Sequence, residues 1–193
     1  MIDVKTRSNS AARDRIVATA SRLFYRNGIN ATGVDAIVRE ASVSKTTLYA
    51  HFTGKDLLVA AYLRDRDERW RRSLSQVTDS LEGSKDKLLG VFEAYGEWLV
   101  SDSLRGCGFI NASAEIPNPS HPARVVAAEH KLAVREHLAN LARESGASDA
   151  DQLSERLLIL LEGAAVIAMI RQEDSPLSAA KATASEIIFA ATD

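Results

Sequence analysis

The chain has 193 residues, of which 46% are hydrophobic, so it exceeds a minimal domain and can bury a substantial core. A single cysteine excludes an intrachain disulfide and fits a reducing compartment. The formal net charge is only −2, but residues 1–55 contain nine Lys or Arg against four Asp or Glu, whereas the remaining residues contain 15 against 22; a basic N-terminal part is expected of a nucleic-acid-binding region.

Helical periodicity dominates the chain. Four prolines, frequent Ala and Leu, and no sustained two-residue alternation predict an all-α protein of about nine helices. In chain order, the predicted helices span about residues 11–27, two short segments within 32–51, and then about 55–80, 85–100, 109–115, 121–145, 149–172 and 176–191.

The two short helices lie in the segment TGVDAIVREASVSKTTLYAHFTGK, residues 32–55. Thr32 is predicted to be the N-cap of the first, and Asp35 completes an approximate capping box. Ser42 interrupts that helix, and Ser44 is predicted to cap the second, whose Leu48 points into the core. This order of helix, tight turn and helix is the helix-turn-helix arrangement, in which the second helix enters the major groove of DNA.

Apart from Leu48, the second short helix is almost entirely polar. A short polar helix stabilises a fold poorly, which indicates that its side chains contact a partner. We expect Thr46 and Thr47 to reach bases, Lys45 to reach a base or a phosphate, and Tyr49 and Lys55 to contact phosphates. The candidate DNA-binding residues are Thr32, Gly33, Ser44, Lys45, Thr46, Thr47, Tyr49, His51 and Lys55, of which Thr32 and Gly33 would offer backbone N–H groups.

Residues 44–52, SKTTLYAHF, followed by Lys55, resemble the DNA-binding signature of the tetracycline-repressor (TetR) family. The resemblance implies a DNA-binding domain at 1–55 and a helical domain for ligand binding and dimerisation at 56–193. It implies a transcriptional regulator that binds double-stranded DNA at a palindromic operator as a homodimer. Repression is the mode of regulation that we expect. An unknown small-molecule effector would release the DNA.

The chain departs from the family pattern at two positions. Ser42 stands in the turn where the family often has glycine, so a residue with a Cβ is expected to adopt a left-handed backbone conformation. Thr46 also stands where glycine is common, which places a hydroxyl and a methyl group at the groove. Thr46 therefore bears on sequence preference and not on the fold.

The last two predicted helices carry broad apolar faces with small residues at near-heptad spacing. Such faces allow helices to approach closely, either within the chain or across a homodimeric four-helix bundle. Both interpretations stay open. The candidate dimer-interface residues are Leu157, Leu161, Ala164, Ala165, Ala168, Ala180, Ala184, Ile187 and Ile188.

The middle of the chain contains aromatic and polar residues that could line an effector cavity. Aromatic residues at helical spacing also form ordinary packed cores, so this prediction has a structural alternative. The candidate ligand-binding residues are Phe92, Tyr95, Trp98, Phe109, Asn111, Glu115, His130, Glu162 and Met169.

The sequence gives little support for a metal site or an enzyme active site. His130 and His137 are too far apart along a helix to share a metal ion, and Cys107 has no CxxC partner, so no metal or cofactor is predicted. Glu115 and His121 lack an accompanying nucleophile, which argues against an enzyme. The alternative function is a small-molecule-binding helical protein with weak or lost DNA binding, its turn distorted by Ser42.

The sequence predicts a cytoplasmic protein with no membrane partner. Residues 1–10 lack the apolar core of a signal peptide. The most apolar run, residues 157–170, is short for a membrane span and contains Glu162 and Gly163.

Overall fold

The computed structural model describes the backbone of residues 4–192 and the side chains of residues 10–192. This part of the chain folds into nine helices without strands, which confirms the all-α prediction. The helices are α1 Val4–Asn27, α2 Val34–Glu40, α3 Lys45–His51, α4 Lys55–Thr78, α5 Ser84–Ser101, α6 Gly108–Glu115, α7 Pro122–Glu144, α8 Ala150–Arg171 and α9 Ser175–Thr192. Within the same residues, none of the helices combines the length and apolarity that a membrane crossing requires.

The helix ends agree with the sequence prediction to within a few residues, except at the start of α1. That helix begins at Val4, well before the predicted start near residue 11. Residues 4–10, VKTRSNS, contain only one apolar residue, so hydrophobic periodicity gives no signal there. The predicted stop is confirmed: Gly28 has a φ of +92°, and its N–H donates to the carbonyl of Phe24.

The chain divides into two compact units, and the division differs from the predicted boundary after residue 55. Unit 1 comprises residues 1–67 and 108–128, and unit 2 comprises residues 68–107 and 129–193. The helix-turn-helix therefore shares a unit with the first part of α4, with α6 and with the start of α7. A single boundary in the sequence cannot describe these units, because each unit contains two separate segments of the chain.

Unit 1 is built around the inner face of α1, which packs against α2 and α3. Ile16 on α1, Ile37 on α2 and Leu48 on α3 are fully buried. The rings of Phe24 and Tyr62 lie 5.8 Å apart, which adds the start of α4 to this core. The apolar core thus holds the two short helices in place although neither is long enough to be stable alone.

A buried arginine distinguishes this unit. Arg66 is almost inaccessible, and its guanidinium lies 4.0 Å from the centre of the Tyr25 ring. At Gly108, the first residue of α6, a Cβ would lie only 2.7 Å from Arg66 Nε. The missing side chain at Gly108 therefore lets α6 approach this buried cation.

Unit 2 is centred on α5, α8 and α9, which pack against one another. Ala165 and Ala184 are fully buried and allow α8 and α9 to approach closely. On another side of the same core, Trp70 contacts Tyr95 and Trp98 edge-on, with ring centres 5.4 and 6.1 Å apart.

Candidate nucleic-acid interface

Helix α3, the second helix of the helix-turn-helix and its predicted recognition helix, has one buried face and one exposed face. Leu48 is fully buried, like Ile37 of α2, and these two residues anchor the helix-turn-helix. Lys45, Thr46 and Tyr49 are exposed on the other side, with 49% of Tyr49 accessible. The exposed surface of α3 thus carries hydroxyl groups and one ammonium, which are groups that can bond to bases and phosphates.

The turn between α2 and α3 takes the conformation expected from the sequence. Ser42 has a φ of 53°, which confirms the predicted left-handed backbone. Its N–H donates to the carbonyl of Arg39, and the N–H of Val43 donates to that of Val38. This pair of bonds is a Schellman motif with Ser42 in the position that glycine usually takes. The turn is well formed, at a conformational cost of roughly 1 kcal/mol for the serine.

Ser44 caps α3, as predicted. Its Oγ accepts the N–H of Thr47 at 3.0 Å, and the two hydroxyl oxygens lie 2.8 Å apart. Each hydroxyl therefore has an intrachain partner before any DNA is bound. Ser44 and Thr47 fix the start of the recognition helix, and their contact with DNA stays a prediction.

The prediction that Thr32 caps α2 is wrong. The N-cap is the exposed Gly33, which supplies no side-chain cap. Thr32 is 3% exposed; its hydroxyl donates to the carbonyl of Gly28 at 2.8 Å, and its N–H donates to that of Ile29. Thr32 therefore satisfies carbonyls beyond the end of α1, and both of its donors have partners within the chain; its contact with DNA stays a prediction. The same residue type serves both helix ends, so the sequence pattern was ambiguous.

Lys45 is paired with Asp35 of α2. Its Nζ lies 2.6 Å from Asp35 Oδ1, and the two side chains are 58% and 74% exposed. The hydrogen bond to Asp35, followed by the charge of its carboxylate, raises the pKa of Lys45. Lys45, the first residue of the recognition helix, is thus held by an acidic residue of the neighbouring helix. The sequence had predicted only a capping role for Asp35.

Lys55 lies at the start of α4 and is only partly exposed. Its Nζ donates to the carbonyl of Ile29 at 2.6 Å and lies 5.9 Å from the centre of the Phe24 ring. The N–H groups of Ile29 and Asn30 donate to the two carboxylate oxygens of Glu115, at 3.0 and 2.7 Å. Lys55 and Glu115 therefore support the loop before α2. This role is additional to the phosphate contact predicted for Lys55 and the ligand contact predicted for Glu115.

His51 ends α3 and is half-buried. Its Nε2 is buried and has no hydrogen-bond partner among the described residues, and its ring packs at 6.4 Å from that of Phe52. This nitrogen faces the protein, so the Nε2 atom is not placed for a groove contact.

The predicted ligand-binding residues fall into both units. Unit 1 contains Phe109, Asn111 and Glu115, and unit 2 contains Phe92, Tyr95, Trp98, His130, Glu162 and Met169. Within unit 2, Phe92 and Tyr95 are buried in the hydrophobic core and Trp98 packs partly against it. His130 is also buried, and Met169 packs beside Gly106.

Tyr95 and Glu162 lie together, and Lys131, which the sequence analysis did not single out, joins them. The Tyr95 hydroxyl donates to Glu162 Oε2 at 3.3 Å, and Lys131 bonds to Glu162 Oε1. Lys131 Nζ also lies 3.2 Å from the sulfur of Cys107. Burial, and then the charges of Cys107 and Glu162, place the pKa of Tyr95 well above its usual value. Burial opposes the charge on Lys131, but the same two neighbours outweigh it and raise the Lys131 pKa.

The predicted dimer-interface residues are largely covered by their own chain. Ile187 is partly buried. The other eight are buried: Leu157, Leu161, Ala164, Ala165, Ala168, Ala180, Ala184 and Ile188. They form the contacts that join α8 and α9 to the rest of unit 2, so that face is not open to a second copy. Large apolar side chains are exposed elsewhere on these helices, at Ile159, Ile167, Ile170 and Phe189.

Comparison with known proteins identifies the family. A family model described as "Bacterial regulatory proteins, tetR family" matches residues 16–62, which span most of α1, the helix-turn-helix and the start of α4. The crystal structure of SCO4454, a TetR-family transcriptional regulator from Streptomyces coelicolor, is 31% identical, with a TM-score of 0.87 over 95% of this chain and 97% of that one.

Two curated regulators are also similar. The HTH-type transcriptional regulator YjdC of Escherichia coli is 22% identical over 179 residues, covering 91% of this chain and 93% of YjdC. The HTH-type transcriptional repressor NemR of the same species is 24% identical over 114 residues, 58% of this chain and 57% of NemR. The chain therefore belongs to the TetR family and is a DNA-binding transcriptional regulator, not an enzyme.

Proposed function

We propose that the protein is a repressor that binds a palindromic operator as a homodimer and is released by a small-molecule effector. The observation that carries the proposal is the exposed polar face of α3, held by the fully buried Leu48 and by the Ser44 cap. A polar helix face held from behind in this way is suited to the major groove. The named relatives include a repressor, NemR, and an activator, FasR of Mycolicibacterium smegmatis, and we propose repression as the mode that the transcription assay below tests.

Sequence choice is assigned to the exposed residues at the start of α3. Lys45 and Thr46 are accessible at the N-terminal end of the helix, which is the end that contacts base edges in this motif. An ammonium can donate to guanine, and the methyl group of Thr46 can pack on that of thymine. The exposed hydroxyl of Tyr49, one turn further along, suits a backbone phosphate.

The dimer is assigned to the exposed apolar stripe of α8. Ile159, Gly163, Ile167 and Ile170 follow one another at spacings of three and four, so they share one face of the helix. Ile170 is 68% exposed, and Phe189 of α9 is 65% exposed. A second copy would cover this surface, and two-fold symmetry in the protein would match a palindromic site.

The effector is assigned to unit 2. The Tyr95 hydroxyl bonds to Glu162, which Lys131 also binds, and the Tyr95 ring packs on that of Trp70; polar groups next to aromatic rings can orient a small molecule. To release DNA, the effector must bind the DNA-incompetent state more tightly than the DNA-bound state. A Tyr95→Phe variant should then respond less to an effector while binding DNA normally.

Selection of genomic DNA fragments by the purified protein tests the proposal. We expect an enriched inverted repeat, bound with a strong salt dependence, and repression of transcription from promoters that contain it. Recovery of fragments without a shared motif would contradict sequence-specific binding. Enrichment of a single half-site by a monomer would contradict the dimer, and stimulated transcription would contradict repression.

A further inference from the structure

The ion pair between Asp35 and Lys45 joins the two helices of the helix-turn-helix on its solvent-exposed side. Asp35 is the second residue of α2, and Lys45 is the first residue of α3. Their charged atoms lie 2.6 Å apart, and more than half of each side chain is accessible to solvent. The most accessible cation of the recognition helix is therefore shared with a carboxylate and does not extend alone into solvent.

We propose that Asp35 is a specificity-determining residue, which holds Lys45 away from the phosphates of random DNA and yields it at the operator. This inference rests on the proposed function, because it requires that α3 reads a preferred sequence. Asp35 acts through Lys45 and need not contact DNA.

The physical argument concerns what the ammonium exchanges in each complex. On random DNA, an unpaired lysine gains a phosphate contact by releasing a condensed counterion, whatever the sequence. When Asp35 already neutralises Lys45, the protein must break the ion pair to make that contact, so the gain is reduced. At the operator, Lys45 can also make a base contact with good geometry, and the free energy of that contact offsets the cost of breaking the ion pair.

The exposure of the pair makes such an exchange feasible. Ion pairs in water are weak, so Asp35 can release Lys45 when several DNA contacts form together. The cost of breaking the pair weakens binding to random DNA more than binding to a sequence that contacts the freed lysine, so specificity is gained by penalising the wrong partner.

The test compares the full-length protein with Asp35→Asn, Lys45→Ala and the double variant on two DNA probes. One probe is a random-sequence duplex, and the other is the inverted repeat selected by the wild type. Binding to each is measured by fluorescence anisotropy across a salt series. For Asp35→Asn on random DNA, we expect the slope of log affinity against log salt to steepen by about 0.9, which adds about 3.5-fold to the loss of affinity over a fourfold rise in salt. The preference for the operator should fall.

Three controls separate this effect from a general loss of negative charge. Asp35→Glu keeps the pair and should behave as wild type. Glu40→Gln removes the acid of the other exposed ion pair of α2, with Arg22, and should leave the slope unchanged. In the Lys45→Ala background, Asp35→Asn should change neither the slope nor the preference, because there is no lysine to release.

The outcomes distinguish the inference from the proposed function. An unchanged slope and preference in Asp35→Asn, or the same change in the Lys45→Ala background or in Glu40→Gln, would overturn the role of Asp35 alone. A wild type without any preferred sequence would overturn the proposed function and this inference with it. Circular dichroism melts of each variant exclude unfolding as the cause.

Discussion

Glu115 at the end of α6 accepts the backbone N–H of Ile29, 86 positions earlier in the chain, at 3.0 Å. Its second oxygen accepts the N–H of Asn30, and the carbonyl of Ile29 is bound in turn by Lys55. One peptide segment before the helix-turn-helix is therefore held by a carboxylate on one side and an ammonium on the other. The position of α2 relative to α1 depends on this loop.

Replacing Glu115 by Gln should loosen the loop and destabilise unit 1. One amide oxygen can replace only part of two charge-assisted bonds, so we expect a loss of about 1–3 kcal/mol in the free energy of unfolding. Denaturant unfolding measures the loss, and amide exchange should become faster at Ile29 and Asn30. Glu129→Gln, at an exposed position of α7, is the matched control and should change stability by less than about 0.5 kcal/mol. Equal protection of the loop in both variants would contradict the role of Glu115.

Replacing Lys55 by Met should reduce stability and DNA affinity together. The substitution removes the charge-assisted bond to the Ile29 carbonyl and leaves that carbonyl with only the N–H of Thr32, at a cost of about 1–2 kcal/mol. Thermal unfolding and operator binding are measured on the same samples. Lys55→Arg retains a cationic donor and should lose less of both. If DNA affinity fell while stability stayed at the wild-type value, Lys55 would be a phosphate contact only.

Replacing Ser42 by Gly should stabilise the protein. The backbone at this residue is left-handed, where a Cβ is unfavourable, and glycine removes that strain although it also gains freedom in the unfolded chain. We expect a gain of about 0.5–1 kcal/mol by denaturant unfolding, with operator binding unchanged. Ser44→Gly, two residues later, removes the side-chain cap of α3 and should have the opposite sign. A loss of stability in Ser42→Gly would show that its hydroxyl makes a needed contact.

Replacing Ile167 by Asp should weaken the proposed dimer without unfolding the protomer. Ile167 lies in the exposed stripe of α8, where a second copy would bury the charge at a cost of several kcal/mol. Sedimentation equilibrium should show a dissociation constant raised at least about tenfold. Leu132→Asp, at an exposed apolar position of α7, is the control and should remain dimeric. Dissociation by Leu132→Asp alone would move the proposed interface to α7.

The features that the sequence predicted well are those whose partners lie within a few residues. Ser44 caps α3 by a bond to Thr47, and Ser42 takes its conformation from the Schellman bonds of the same turn. Such interactions depend on residue type and short spacing, so they can be recognised in the chain alone. Thr32 shows the limit, because a threonine between two helices can serve either helix end and only the fold selects one.

The sequence by itself determined that this chain is helical, that residues 34–51 form a helix-turn-helix, and that Lys45, Thr46 and Tyr49 are exposed on it. Tertiary structure decided which charged residues support that motif, because the bonds of Lys55 and Glu115 reach 26 and 86 positions along the chain. It also decided which face of α8 packs internally. Both faces of that helix are apolar, and only the positions of α5 and α9 determine which one stays exposed.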